Sequence, residues 1–306
     1  MHLGLDKRVA QPSWLRTQDS SVNEFFITTE REASTTTQLH IHRDPAMQSR
    51  LRDRRAIYLR DLLRELIVRD MKVRYKGSVL GVAWSFMTPL LLLLVFHFIF
   101  RLVLSLNIPR YSSFAFSGML VWGWFQLSLV QAAGAITGSR ELIRCPGFPA
   151  AILPVVTVAT NLIHFLLSFP VLLLFLLLNG TGLSLTILAS LLVMVLQFIL
   201  TLSLAYLVAT ANVIFRDTQH LLGVLLQLLF FLSPVFYDAS TVPARYQPLY
   251  RLNPLVHLID AYRAVLLRGT LPEGLPLLML GVVAVGLLYV GIKVFTHTSY
   301  RFVEEL

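Results

Sequence analysis

Arg69, Lys72, Arg74 and Lys76 place four cations within eight residues, with Tyr75 among them. The chemistry open to such a cluster is charge-assisted hydrogen bonding to phosphate oxygens. The arginines suit it best, because a planar guanidinium grips two oxygens at once. Covalent chemistry has less to work with. Asp238, His257 and Asp260 form the one set resembling an acid–base group, of the kind an intramembrane acyl- or glycosyltransferase would need. No G-x-x-x-x-G-K-[ST] loop occurs, so this chain is expected to hold no ATP. The single cysteine, Cys145, leaves no intramolecular disulfide and no Cys-rich metal cluster, and neither metal nor cofactor is expected here. Between Asp70 and Glu141 there is no acidic residue, and no Lys or Arg lies deep in an apolar segment except Arg101, which is near an outer end where it can snorkel. The intramembrane carboxylates on which ion-coupled carriers rely are missing, so any uphill movement draws its energy from another subunit.

The elements that position the basic cluster follow from composition. A chain of 306 residues that is 56% hydrophobic and 14% charged cannot cover itself with a soluble surface, which needs roughly a quarter of its residues charged. It belongs in lipid, where open strands find no hydrogen-bond partners, and the fold class is an all-α membrane protein. Six apolar segments, near 80–104, 114–136, 151–178, 185–211, 220–237 and 275–296, approach the about 20 residues a spanning helix needs. Net charge is +9, and a cytoplasmic N-terminus puts roughly 20 of the 26 basic residues inside. Both termini are then cytoplasmic. The cations serve orientation and lipid contact, not nucleic acid.

Four regions follow: a polar, disordered tail at 1–49 without a signal peptide, an amphipathic interfacial helix at 50–77, a six-span transmembrane domain at 78–300, and a short cytoplasmic tail at 301–306. In the helix, Leu59, Leu62, Leu63, Leu66 and Ile67 share one face, and Glu65 is spaced to pair with Arg69. Gly77 and Gly81 then turn the chain into the first span, with Trp84 at interfacial depth. His97 and His164 read as helix-packing hydrogen bonders.

On the cytoplasmic side, "TGSRELIRCPGFPAAILP" reads as a short docking helix capped by Ser139. Glu141 and Arg144 supply rim charges, Leu142 and Ile143 exposed apolar knobs, and Pro146 and Pro149 the stop. Arg216 and Asp217 mark a second inner turn. On the outer side, Asn253 caps and Pro254 opens a helix too polar to span. Leu255, Ile259, Tyr262 and Leu266 line one face, opposite His257, Asp260, Arg263 and Arg268, and a helical hairpin dipping in from the surface fits.

In this order, "LLRELIVRDMKVRYKGSVLGVAWSFMTPLL", "LIRCPGFPAAILP", "FRDTQHLLGVLLQLLFFLSPVFY" and "LNPLVHLIDAYRAVLLRG" resemble the permease subunits of type-2 ABC exporters, in the group that exports lipid-linked polysaccharides such as O-antigen, capsule and teichoic acid. The resemblance implies a homodimer in the bacterial inner membrane, docked on two ATPase subunits that bind the ATP and magnesium. It implies an N-terminal gate helix, with Arg69, Lys72, Arg74, Tyr75 and Lys76 at the substrate headgroup, and re-entrant outer helices that close a channel. The "LIRCPGFP" segment, with Phe148, becomes the main coupling helix. Phe96, Phe100, Trp122, Trp124, Phe125, Phe230, Phe231 and Tyr237 are then candidates to stack on sugar rings along the path. An exporter of a small lipid or drug is the nearest alternative.

Overall fold

The computed structural model describes residues 45–78, 81–99, 111–178, 180 and 184–302, which form helices and the turns between them, with no strand among the described residues. The chain divides into Met1–Tyr58 and Leu59–Leu306. Of the first unit the structure describes the opening of helix α1 (Pro45–Tyr75), so the helix starts at Pro45 rather than at 50. The remainder of the expected tail, Phe100, Arg101 and residues 303–306 lie outside the described residues, as do the side chains of Phe96 and His97.

In the second unit, Leu66 of α1 is buried, and Leu59, Leu62, Leu63 and Ile67 pack half-buried on the hydrophobic core. The oily stripe is thus spent on protein. Glu65 and Arg69 do not pair. Among the described residues the ion pair of α1 is Arg60 Nη2 to Asp61 Oδ1, 3.2 Å. Two long, exposed side chains gain little from pairing in water, so the spacing alone does not hold them together. Lys72 and Arg74 occupy the last turn, where cations complement the helix dipole. Gly77 (φ +76°) and Gly81 (φ +49°) then adopt the left-handed conformation that the turn requires.

The remaining helices are α2 (Trp84–His97), α3 (Tyr111–Ala135), α4 (Arg140–Ile143), α5 (Ile152–Leu178), α6 (Ala189–Ile214), α7 (Thr218–Phe231), α8 (Gln247–Tyr250), α9 (Pro254–Arg263) and α10 (Gly274–Thr298). Among the described residues, four are long and apolar enough to cross a membrane: α3, α5, α10, and α6 with the 3₁₀ turn Leu185–Leu188 before it. The expected fifth span ends early. α7 stops at Phe231 instead of reaching 237, because Pro234 donates no backbone hydrogen bond and forces Ser233 out of helical geometry. At 14 residues it is about 21 Å long, short of the about 30 Å hydrocarbon core.

α3 is the central stave. It packs against α5 and α6 and also touches α2, α7 and α9. Ala115, Phe116, Ala132 and Ala133 are fully buried, as expected of a helix apolar all round. Side chains from its neighbours pin its carbonyls. Gln197 Nε2 donates to Val121 O at 2.9 Å and Asn212 Nδ2 to Ala133 O at 2.8 Å. α10 lies along α6 with Leu278, Val282 and Tyr289 exposed. A Cβ at Gly291 would stand 2.8 Å from the Ser203 carbonyl, so the close crossing of α10 on α6 needs glycine there.

Candidate functional site

Where α1 ends and α2 begins, the chain encloses a cavity of about 680 Å³ against α3 and α5. Trp84, Met119, Leu120, Trp124, Leu127 and Phe165 supply apolar wall. Arg74, Tyr75, Asn161 and His164 make a polar lining. The Arg74 guanidinium donates through Nη2 to Gln131 Oε1 at 2.7 Å and through Nη1 to Asn161 Oδ1 at 3.3 Å. Asn161 Nδ2 closes the triangle on Gln131 Oε1 at 2.9 Å and also reaches Thr157 O. Amides, not carboxylates, hold this cation, so its charge is oriented without being cancelled. Beside it the Tyr75 hydroxyl and His164 Nδ1 lie 2.8 Å apart, which makes His164 the helix-packing hydrogen bonder expected of it.

Of the basic cluster, then, Arg74 lines the cavity together with Tyr75, while Arg69, Lys72 and Lys76 are exposed beyond it. Gln131 and Asn161 went unnoticed in the sequence because they carry no charge. Their signal was an amide side chain inside an apolar span, where a buried polar group needs a partner.

The aromatics divide differently from expectation. Trp122, Trp124 and Phe125 are buried in the core of one chain, with Trp122 against Phe230 (ring centroids 5.3 Å) and Trp124 against Phe165 (5.1 Å). They are packing residues, although Trp124 also lines the cavity. Phe231 is well exposed, and Phe230 and Tyr237 are half-buried, with the Tyr237 hydroxyl on the Phe231 carbonyl.

The segment expected to dock on the cytoplasmic side is also turned over. Ile143 is buried and Leu142 and Phe148 pack half-buried on the core, so the apolar knobs face the bundle. Glu141 and Arg144 are exposed, as are Arg216 and Asp217 of the second turn. Ser139 sits at the N-cap of α4, but its side chain makes no cap bond. In a helix of four residues, anchoring by Ile143 outweighs capping.

In the segment expected on the outer side, Asn253 Oδ1 accepts from Leu255 N at 3.0 Å and Pro254 opens α9, as its sequence dictates. Leu255, Ile259, Tyr262 and Leu266 are buried, but so is Arg263, which the periodicity had set on the polar face. The three candidate acid–base residues each have a local structural bond. Asp238 Oδ1 accepts from Ser240 N, His257 Nε2 lies 2.8 Å from Arg251 O, and Asp260 pairs with Arg268 at 2.9 Å. Burial raises the Asp238 pKa. The Ser240 hydrogen bonds and the positive fields of Arg263 and Arg268 outweigh it and hold the carboxyl below its ordinary value.

Long apolar helices, packed around a cavity that joins an oily wall to an oriented cation, mark a multi-pass membrane protein. Residues 61–267 match the ABC-2 type transporter family, and the chain belongs to it. It is the membrane component of an ABC transporter, whose ATPase is a partner subunit. Relatives include the O-antigen export system permease protein RfbA of Myxococcus xanthus, 38% identical over 249 residues (81% of this chain, 96% of that protein). The protein of the same name from Klebsiella pneumoniae is 32% identical over 252 residues (81% and 96%). The polysialic acid transport protein KpsM of Escherichia coli is 24% identical over 237 residues (75% and 90%).

Proposed function

We propose that this permease exports a lipid-linked polysaccharide across a bacterial inner membrane, as a homodimer with cytoplasmic termini on two ATPase subunits, each protomer placing six segments in the membrane with α7 as a short fifth. The cavity beneath α1 carries this reading. Its apolar wall accepts lipid, and Arg74, fixed by two amides and uncancelled by any carboxylate among the described residues, presents donors suited to a phosphate. α1 is the gate through which the headgroup enters, and the exposed Arg69, Lys72 and Lys76 gather anionic headgroups at the membrane face. α9 and the turns around it close the outer end. Phe231 and its surroundings offer sugar rings weak, repeated contacts of the kind a sliding polymer needs. Relatives named for O-antigen export and polysialic acid transport support the polysaccharide as cargo.

The test is genetic. Cells lacking this chain should accumulate lipid-linked polysaccharide on the cytoplasmic side and lose it from the surface, and the intact chain should restore it. An unchanged surface glycan would end the proposal.

A further inference from the structure

Arg263 is 4% exposed, yet no carboxylate lies within ion-pair distance of it among the described residues. What holds the guanidinium is a set of dipoles. Nη2 donates to Val235 O at 2.9 Å and to Phe114 O at 3.3 Å, and the carbon of the guanidinium stands 3.4 Å from the Phe114 ring centroid. Nε is buried with no acceptor. A buried cation touched by carbonyls and a ring but by no carboxylate is costly to keep dry, so this contact gains little over a state in which water or a carboxylate takes it.

The surroundings are built for this contact. A Cβ on Gly118 would stand 2.8 Å from Val235 O and 3.0 Å from Arg263 Nη2, so only glycine on α3 lets turn and guanidinium meet. The other end of α9 is tied to the same turn, with Asn253 Nδ2 on Ser233 Oγ at 2.9 Å and on Leu232 O at 3.3 Å. α9 is thus staked at both ends onto residues 232–235, and its Arg263 stake alone extends to α3. α3 in turn runs down to the docking segment at α4. Two carboxylates favour the Arg263 cation without pairing with it: Asp260, which already pairs with Arg268, and Asp238, three residues beyond Val235.

We propose that Arg263 is a releasable latch on the outer end of the permease. In the closed state it clamps the 232–235 turn and α9 against α3. During turnover it lets go of Val235 and Phe114, and Asp238 receives the charge. The inference rests on the proposed reading of the chain as an exporter with α9 on its outer side.

The experiment uses membrane vesicles holding the whole complex with its ATPase, and follows export in the same vesicles. Val235, fully buried, is replaced by cysteine in a Cys145→Ser background, which keeps the backbone carbonyl that Arg263 uses. A membrane-impermeant maleimide is applied from the outer side. Labelling should be slow at rest and about tenfold faster during ATP turnover, the scale expected when a charge-assisted hydrogen bond is released. Arg263→Met should label fast without ATP, and Gly118→Ala should do the same with Arg263 intact, which covers a failure of either variant to fold. Asp238→Asn should reduce the increase seen with ATP. Export accompanied by labelling that ATP does not alter would overturn the latch alone. Absence of export from the unsubstituted complex would instead count against the exporter reading. Resting labelling unchanged in Arg263→Met or Gly118→Ala would make Arg263 a static brace.

Discussion

Replacing Arg74 with alanine separates a gate residue from an orientation signal. The substitution removes two donors from the triangle with Gln131 and Asn161. Gln131 Oε1 keeps its bond from Asn161 Nδ2, but Asn161 Oδ1 loses the Arg74 bond in a residue only 1% exposed. An unmet buried acceptor costs about 1–3 kcal/mol, while polar ties between membrane helices average about 0.6 kcal/mol. A cost of 1–3 kcal/mol on the seating of α1 corresponds to roughly 5- to 150-fold in the population of the seated gate. Arg74→Lys should fall between, since an ammonium lacks the rigid fork that meets both amides. Asn161→Ala should share the defect, and combining it with Arg74→Ala should add less than the sum of the two. The assay is glycan export together with ATP hydrolysis stimulated by lipid-linked substrate, at matched membrane levels and with complex assembly checked by co-purification. If the cluster merely sets topology, losing one cation of many changes neither. Wild-type values in both assays for Arg74→Ala would refute the reasoning.

In the proposed docking segment, Leu142→Asp with Ile143→Asp should lower the amount and thermal stability of the permease itself, because both side chains pack on its core. Glu141→Lys with Arg144→Glu should leave the protein folded and reduce ATPase co-purification, and the reverse pattern would restore the apolar knobs to the docking surface. Trp122→Ala should cost about 3–5 kcal/mol of stability from a buried cavity, measured as a fall in detergent melting temperature, whereas Phe231→Ala should leave melting near wild type and slow export; equal melting for the two would contradict the burial argument. Because the Asp238 pKa is depressed in the folded protein, its contribution is present above the ordinary carboxylate pKa and is lost as pH falls through the lowered one. Hydrogen exchange across residues 238–247 should therefore stay slow, after correction for intrinsic rate, from pH 7 to about 4, and loosening already at pH 6 would be inconsistent with that sign.

Much of the fold could be read from the chain. Unbroken apolar runs marked α3, α5, α6 and α10, because length and hydrophobicity alone decide what crosses lipid. Gly77, Gly81 and the Asn253-Pro254 cap were equally plain, since each conformation admits few residue types. Periodicity shows which residues share a face but not what that face meets. Ile143 and Arg263 were both assigned to exposed surfaces and both are buried. Aromatic residues in apolar spans looked alike, and only packing separates the core residue Trp122 from the exposed Phe231. The Arg74 triangle was half visible: the cation stood out, while its amide partners lie 57 and 87 residues away and meet it only through the packing of α1 on α3 and α5.

The most direct test of the account is transport in purified form. The permease and its ATPase partner are reconstituted in liposomes that carry lipid-linked polysaccharide on one leaflet, and the glycan on the opposite side is followed with an impermeant glycosidase or lectin. The account predicts that glycan crosses only with hydrolysable ATP and both subunits present, and that Arg74→Ala slows it. ATP-driven movement of a small lipid or drug, with the lipid-linked glycan left where it began, would contradict it.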